Sequence, residues 1–166
     1  PHSIRKGRLS GERMTTTKLL SGVRVLDLTN VLSGPFATLH LALCGAEVIK
    51  IENPQGGDLA RKLGCVPKLN KELMGTSFLA QNANKKSLTL NLKLPRGKEV
   101  LERLIGAADV VVENFRPGTL ERLGFSWERI QEINPRAIYC SVSGYGHLGR
   151  HRDRPSFDVI AQGEWG

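Results

Sequence analysis

The sequence contains no apolar run of membrane-spanning length and few aromatic residues. Of its 166 residues, 40% are hydrophobic and only 5% are aromatic. A membrane-spanning helix needs roughly 20 consecutive apolar residues, and single-stranded nucleic acids stack on aromatic side chains that are scarce here. The composition is instead typical of one soluble domain with its own core. We therefore expect neither a membrane nor a nucleic acid as a partner.

Cysteines are few and lie far apart. Cys44, Cys65 and Cys140 form no C-x-x-C pair and are odd in number, which argues against a disulfide framework. We interpret them as reduced thiols, in or near the core of a cytoplasmic protein.

Two patterns of catalytic residues are incomplete. His147, His151 and Asp153 do not indicate a metal site, because histidines four residues apart converge on one ion only in a helix, and the glycine between them favours a loop. Ser141 and Ser143 lack the G-x-S-x-G turn of serine hydrolases. We predict neither a bound metal nor serine hydrolase chemistry.

Half of the net charge is concentrated at the amino terminus. The chain carries +8, and residues 1–18 supply +4 of it, through five lysines or arginines against one glutamate. This segment has no apolar periodicity, so we predict a disordered basic leader or a vector-derived tail, with Met14 as the candidate start. The alternative is the remnant of a transit peptide, which would place the protein in the mitochondrial matrix. Residues 19–166 are the predicted folded part, and their charge forms no basic stripe for nucleic acid.

Segment 23–53 predicts a strand, a crossover helix and a second, parallel strand. Residues 23–28 and 46–51 are rich in β-branched and apolar side chains. Between them a Ser-Gly-Pro sequence at 33–35 predicts a helix start, because proline in the first turn loses no hydrogen bond and the serine or glycine before it can cap. Gly45 predicts the helix end. The start of this helix offers backbone N–H groups and a positive dipole end to an anionic ligand.

The turn after the first strand is poor in glycine, which disfavours a dinucleotide. The Rossmann fingerprint requires G-x-G-x-x-G directly after that strand, but residues 29–34 contain one glycine. Glu52 closes the second strand, as the ribose-binding acid does in dinucleotide folds, but it does not replace the missing glycines. We therefore do not expect NAD or a flavin.

Strand and helix patterns alternate along the rest of the chain, with no internal repeat. This alternation predicts an α/β fold with a Rossmann-like, open, mostly parallel sheet and helices on both faces. Residues 54–83 are predicted to form a long, loosely patterned loop, and Lys85 and Lys86 are interpreted as surface residues before a strand. The predicted strands are 84–92, 109–113 and 137–142, and the predicted helices are 96–105, 120–123 and 127–133.

Ligands of such sheets bind beyond the carboxyl ends of the strands. The segments at those ends are small, polar or basic, which favours a groove for an elongated phosphorylated ligand. Spacing alone leaves Phe115 equally interpretable as a packing aromatic, and Arg116 and Arg122 as solvated surface charges. The segments are 29–33, 52–58, 91–93, 114–116 and 143–146.

Five long segments, in this order, resemble the family III CoA-transferases, a group that includes formyl-CoA transferase and the α-methylacyl-CoA racemases. Together they cover nearly all of residues 20–166. They read VRVLDLTNVLSGPFAT, LCGAEVIKIENPQGGD, NKKSLTLNLKLPRGKEVLERLI, ADVVVENFRPGTLERLGFSWERIQEINPRAIYCSVSGYG and RPSFDVIAQG.

The resemblance implies that the chain is the amino-terminal part of a larger enzyme. The fold would be the Rossmann-like CoA-binding large domain of the family, incomplete here because the small domain and the carboxyl-terminal return are absent. For the full-length protein it implies a homodimer of two interlocked subunits.

The resemblance also implies where coenzyme A or an acyl-CoA would bind as substrate. Leu32 stands where formyl-CoA transferase has a glutamine near the acyl group, and Asn53 stands where it has a coenzyme-binding arginine. Formate or oxalate specificity is therefore not implied. The implied coenzyme contacts are Val31, Leu32, Ser33, Leu90, Asn91, Leu92, Lys93, Asn114, Phe115, Arg116, Arg122, Pro155, Ser156, Phe157 and Asp158.

The implied activity is the transfer of CoA between carboxylic acids through an enzyme aspartyl-CoA intermediate, without a metal. Asp158 matches a supporting acid, and the nucleophilic aspartate is expected beyond Gly166. The chain alone is therefore expected to be inactive and only marginally stable. One alternative is a racemase of the same superfamily, although Phe157 stands where racemases have a histidine base. The other is a nucleotide-binding domain without catalysis.

Overall fold

Five parallel strands form a single sheet in the structure, a computed structural model that describes residues 18–166. The strands are β1 (Arg24–Asp27), β2 (Glu47–Glu52), β3 (Lys86–Thr89), β4 (Val110–Glu113) and β5 (Ile138–Ser141). Their spatial order is β3-β2-β1-β4-β5, and each neighbouring pair is parallel. The predicted open, parallel α/β sheet is confirmed. Apart from Lys18, the predicted leader lies outside the described residues.

Helices connect the strands. They are α1 (Ser33–Leu43), α2 (Pro67–Lys71), α3 (Thr76–Asn82), α4 (Pro95–Gly106), α5 (Thr119–Arg122), α6 (Trp127–Ile133) and α7 (Asp158–Trp165), with a 3₁₀ turn at Leu59–Lys62. None of the helices described between residues 18 and 166 is long and apolar enough to cross a bilayer.

The strands divide the core into two apolar clusters. Leu26 belongs to the cluster that contains Leu101 of α4 and Ile130 of α6. Its neighbour Val25 belongs to the other cluster, with Ala42 of α1. Successive strand residues face opposite sides of a sheet, so α1 covers one face and α4 with α6 covers the other.

The start of α1 differs from the prediction. Ser33 and Gly34 are already helical, and the N-cap residue Leu32 makes no side-chain capping bond, so the predicted serine or glycine cap is wrong. Gly34 meets a packing constraint instead, because a Cβ at this position would lie 2.4 Å from the Thr29 side chain. At the other end Gly45 adopts φ +107°, which confirms the predicted helix stop.

The excursion over 54–83 contains the 3₁₀ turn, α2 and α3, where the sequence analysis predicts a loose loop. The Asp58 carboxylate caps the turn by accepting from the Ala60 N–H, and Pro67 begins α2. Helices this short have too few turns to show an apolar period. Likewise, α7 was not predicted, and the strand predicted over 84–92 is shorter because Asn84 adopts φ +62°.

All three cysteines are exposed, so their predicted placement in or near the core is wrong. Cys44 follows α1 as its C-cap residue, where the chain turns at the surface. Cys140 lies on β5, an edge strand on which Ile138 and Cys140 are exposed on the same face. A strand pattern cannot distinguish an edge strand from a central one, because both are equally apolar in sequence.

We expect Leu101→Ala to lower the free energy of unfolding by about 2–5 kcal/mol, because it opens a cavity in the larger cluster. The neighbouring substitution Val100→Ala is the control. Val100 is 38% exposed and Leu101 is 1% exposed, so the control should change stability by less than about 1 kcal/mol. Urea unfolding of the three chains measures both values, and equal losses would contradict the placement of α4.

Candidate functional site

A pocket lies beyond the carboxyl ends of the strands. It encloses about 620 Å³ of space, including its open mouth. Apolar side chains form most of its wall, and three asparagines, one glutamate and one lysine supply the polar groups. The lining residues are Leu28, Asn30, Ile51, Glu52, Asn53, Leu90, Asn91, Leu92, Lys93, Phe115 and Leu123.

The structure brings together only some of the predicted coenzyme contacts. Leu90, Asn91, Leu92, Lys93 and Phe115 line the pocket. Asn114 lies next to its wall and bonds to the turn after β1. The other predicted contacts do not line this pocket; they are Val31, Leu32, Ser33, Arg116, Arg122, Pro155, Ser156, Phe157 and Asp158.

Two of those outlying groups occupy different surroundings. The exposed Arg122 donates to Thr119 Oγ1 at 3.0 Å, within its own helix. Ser156 packs against Gly144 in the loop after β5, so residues 155–158 approach the end of the fifth strand. Asp158 begins α7 and accepts a hydrogen bond from Gln162 Nε2 at 2.8 Å. Arg122 thus ends α5, while residues 155–158 lie near the end of β5 and at the start of α7, and all of them lie outside the pocket.

The turn after β1 is held by side chains from other strand ends. The Asn30 N–H donates to Asn114 Oδ1, and Asn114 Nδ2 donates to the Asn30 carbonyl, both at 2.7 Å. Lys50 Nζ donates to the Thr29 carbonyl at 2.8 Å, and the Val31 N–H donates to Asp58 Oδ1 at 2.9 Å. Residues 29–31 thus have their backbone polar groups bound by protein side chains.

Asp27 and Lys85 form a buried ion pair beneath this turn. Lys85 Nζ lies 2.8 Å from Asp27 Oδ2 and also donates to Thr38 Oγ1 and the Pro35 carbonyl. The interpretation of Lys85 as a surface residue is therefore wrong, whereas Lys86 is exposed. The error has a physical cause, because only the fold brings residue 85 against residue 27.

The Asp27 carboxyl is ionised more readily than usual. Burial acts to raise its pKa, but the charges of Lys50 and Lys85 and the hydrogen bonds from Lys85 and Thr29 outweigh burial, so its pKa lies below the ordinary aspartate value. Asp27 therefore contributes stability that is present above the ordinary aspartate pKa and is lost as the pH falls through its own, lower pKa.

Glu52 lines the pocket, but its carboxylate is already engaged. Arg61 Nε and Nη2 each lie 2.7 Å from one of its oxygens, and the Asp58 N–H donates to Oε1 at 2.9 Å. Burial acts to raise the pKa of Glu52, but the Arg61 hydrogen bonds and the other donors lower it below the usual range. With both oxygens bound to Arg61, Glu52 is not placed as a free acceptor for a ribose hydroxyl.

A second buried acid, Glu113, supports the Phe115 wall of the pocket. Glu113 Oε2 accepts from the Phe115 N–H at 2.7 Å, and Oε1 accepts from the hydroxyls of Tyr139 (2.9 Å) and Ser141. Burial and the nearby Glu113 raise the pKa of Tyr139. Ser141 Oγ is also 2.5 Å from His147 Nε2, a contact that sequence spacing did not indicate. The serine lies between the acid and the imidazole, whereas hydrolase triads place the imidazole in the middle.

We expect Lys85→Met to lower the free energy of unfolding by about 3–5 kcal/mol, because it leaves the Asp27 carboxylate buried without its paired ammonium. Lys86→Met is the control; the Lys86 side chain is 69% exposed and that of Lys85 is 1% exposed, so the control should cost at most about 1 kcal/mol. Without Lys85 the pKa of Asp27 should rise, so the deficit should shrink as the pH falls below the ordinary aspartate value. Denaturant unfolding at several pH values measures this, and a deficit that does not change with pH would contradict the pairing.

Comparisons with known proteins give the relatives of this chain. Formyl-CoA:oxalate CoA-transferase from Rhodopseudomonas palustris is 51% identical over 147 residues, which are 88% of this chain and 33% of that protein. Succinyl-CoA:glutarate CoA-transferase from Mus musculus is 49% identical over 144 residues, which are 87% of this chain and 32% of that protein. The chain thus spans about a third of the length of these curated relatives.

The fold and the family model agree with these relatives. A crystal structure of a hypothetical protein from Mycobacterium tuberculosis matches with a TM-score of 0.80 at 42% identity, over 89% of this chain and 40% of that one. The family model described as CoA-transferase family III matches residues 20–166, which include the whole sheet and the pocket beyond its strand ends. This chain belongs to CoA-transferase family III.

Proposed function

We propose that the protein carrying this chain is an acyl-CoA:carboxylate CoA-transferase, and that residues 20–166 supply part of its coenzyme A site. The observation that carries this proposal is the family match over 20–166, on a sheet whose strand ends surround a pocket with an apolar wall and a cationic group. Relatives named as CoA-transferases are about half identical to the chain. They differ in the acids they are named for, so the acyl donor and acceptor are left unassigned.

The pocket has groups suited to two parts of coenzyme A. Leu28, Leu90 and Phe115 offer an apolar surface to a base or a pantetheine chain, while Lys93 on the rim offers a charge to a phosphate. The start of α1 is close in sequence to Asn30, which lines the pocket. Its N–H groups and dipole favour an anion, which supports the proposed role of Leu32 and Ser33. The N–H of Val31 is already bound to Asp58, so we propose that Val31 contributes through its side chain.

The proposed reaction has two covalent stages. A carboxylate of the enzyme attacks the thioester carbonyl, which releases CoA thiolate and leaves a mixed anhydride. The thiolate then attacks the enzyme's acyl carbon, which frees the donor acid and gives an aspartyl-CoA thioester. An acceptor carboxylate takes the CoA by the same steps in reverse. We propose that the attacking aspartate lies outside residues 1–166 and that Asp158 is a supporting acid.

Two alternative functions can be distinguished from the proposed one. A racemase needs bases on both sides of the α-carbon. Phe157 occupies the position at which, according to the resemblance, racemases have a histidine base. A nucleotide-binding domain without catalysis would also use the pocket, but it would show no covalent adduct.

We further propose that the full-length protein is a homodimer in the cytoplasm. The free, exposed thiols of Cys44, Cys65 and Cys140 suit a reducing compartment.

Coenzyme A should raise the thermal unfolding midpoint of this chain. We expect Lys93→Ala to weaken CoA affinity about fivefold, because it removes a charge from the pocket rim. Lys71→Ala, on the exposed α2 outside the pocket, is the control and should change affinity by less than about twofold. Isothermal titration measures the affinities. Equal midpoint shifts with CoA, dephospho-CoA and NAD would refute the coenzyme assignment.

In the full-length protein, Asp158→Asn should lower turnover while CoA still becomes covalently attached, because a supporting acid is not the attacking group. The measurement is mass spectrometry of the enzyme trapped with acyl-CoA, with wild type as the reference. A CoA adduct on Asp158 itself, or turnover by residues 1–166 alone, would show that the nucleophile is misplaced.

A further inference from the structure

Val31 adopts a backbone conformation that its side chain disfavours. Its φ is +69°, in the left-handed region, where β-branched residues are genuine outliers. Such a conformation persists only when the surrounding structure enforces it, and it occurs preferentially at binding and catalytic sites. Val31 lies between Asn30, which lines the pocket, and Leu32, the N-cap residue of α1.

The carboxylate of Asp58 binds the backbone at Val31. Its Oδ1 accepts from the Val31 N–H at 2.9 Å, 27 residues away in sequence, and from the Ala60 N–H at 2.9 Å. Its Oδ2 has no aligned hydrogen-bond donor but lies 3.0 Å from Lys50 Nζ. Both charged side chains are at least 99% buried, so each depends on the other as its counterion.

Lys50 acts on the same turn from a second direction. Its ammonium group donates to the Thr29 carbonyl at 2.8 Å, so the ion pair binds the turn on either side of Asn30. The Asn114 amide holds the N–H and the carbonyl of Asn30 itself. A rotation of Val31 to negative φ would either turn the Asn30–Val31 peptide away from Asp58 or redirect the chain that leads into α1.

We propose that Asp58, with Lys50 as its buried counterion, is a positioning residue that holds Val31 in the left-handed conformation and thereby sets the turn that borders the coenzyme pocket. The proposal rests on the proposed function for its effect on ligand binding. It does not rest on that function for the backbone conformation itself. Asp58 touches no ligand in this role; it acts through Val31.

A simpler role for Asp58 makes a different prediction. Asp58 could matter only as the counterion of Lys50 and as the cap of the 3₁₀ turn through Ala60. In that case the conformational freedom of residue 31 would be irrelevant to the effect of losing Asp58. Glycine adopts positive φ without a steric penalty, so Val31→Gly separates the two roles.

The test is a double-mutant cycle on this chain with Asp58→Ala, which removes the acceptor of the Val31 N–H, Val31→Gly and both together. Asp58→Ala should weaken CoA affinity about tenfold, and the further change Val31→Gly should recover about threefold of that loss, because glycine needs no clamp at this φ. Affinity is measured by isothermal titration and the unfolding midpoint by calorimetry. Val31→Gly should likewise recover part of the unfolding midpoint that is lost without Asp58.

Asp27→Ala is the matched control. Asp27 is as buried as Asp58 and is likewise paired with a buried lysine, Lys85, but it bonds to Thr29 instead of Val31. Val31→Gly should therefore rescue Asp58→Ala and leave the loss in Asp27→Ala unchanged. Rescue of neither variant, or of both equally, would overturn the proposal and leave Asp58 as a counterion only.

The cycle keeps the two hypotheses apart. If the wild-type chain fails to bind CoA, the coenzyme assignment fails, but the unfolding midpoints of the four chains still test the clamp. Rescue in the midpoints without any CoA binding would support the clamp alone. Binding of CoA that Asp58→Ala does not weaken would overturn the positioning role while leaving the coenzyme site intact.

Discussion

The ends of β1 and β2 are buried, and this burial is the constraint on which the rest of the site depends. Backbone groups that leave a buried strand cannot reach water, so they need partners within the protein. Here the partners are charged side chains, chiefly Lys50, Asp58 and Asp27. Buried charges must themselves be paired with opposite charges, so the chain segments that supply these side chains are bound to one another. The turns at the strand ends consequently form one connected network.

The sheet can be predicted from the sequence because apolar residues recur with a different period in strands and in helices. In β4, Val110, Val111 and Val112 form an uninterrupted apolar run, and α4 carries its apolar residues on one face, so the local pattern indicates the type of each element. Edge and central strands look alike by this criterion, and Cys140 was misplaced for that reason. The short helices between 54 and 83 have no period to detect.

The part of the pocket that was predicted follows from one topological rule, that ligands bind beyond the carboxyl ends of parallel strands. Parallel strands end at one edge, so residues 91–93 and Phe115 were expected near each other, and they line the same pocket. The buried charges were missed because their partners are distant in sequence: Lys85 reaches Asp27 across 58 positions. A signal was nevertheless present. Lys50 lies between Ile49 and Ile51, and Asp27 lies between Leu26 and Leu28. A charge between apolar residues of a buried strand requires a partner from elsewhere.

The neutrality of the buried cluster has a consequence for how the site would respond to salt. Two lysines, Lys50 and Lys85, are matched by two aspartates, Asp27 and Asp58, so the cluster near the start of α1 carries no net charge. Whatever attraction an anion experiences there comes from N–H dipoles, which act over a short range. Dissolved ions screen interactions between exposed charges much more strongly than those between buried groups. The ionic-strength dependence of anion binding would then arise mainly at exposed cations such as Lys93, on the rim.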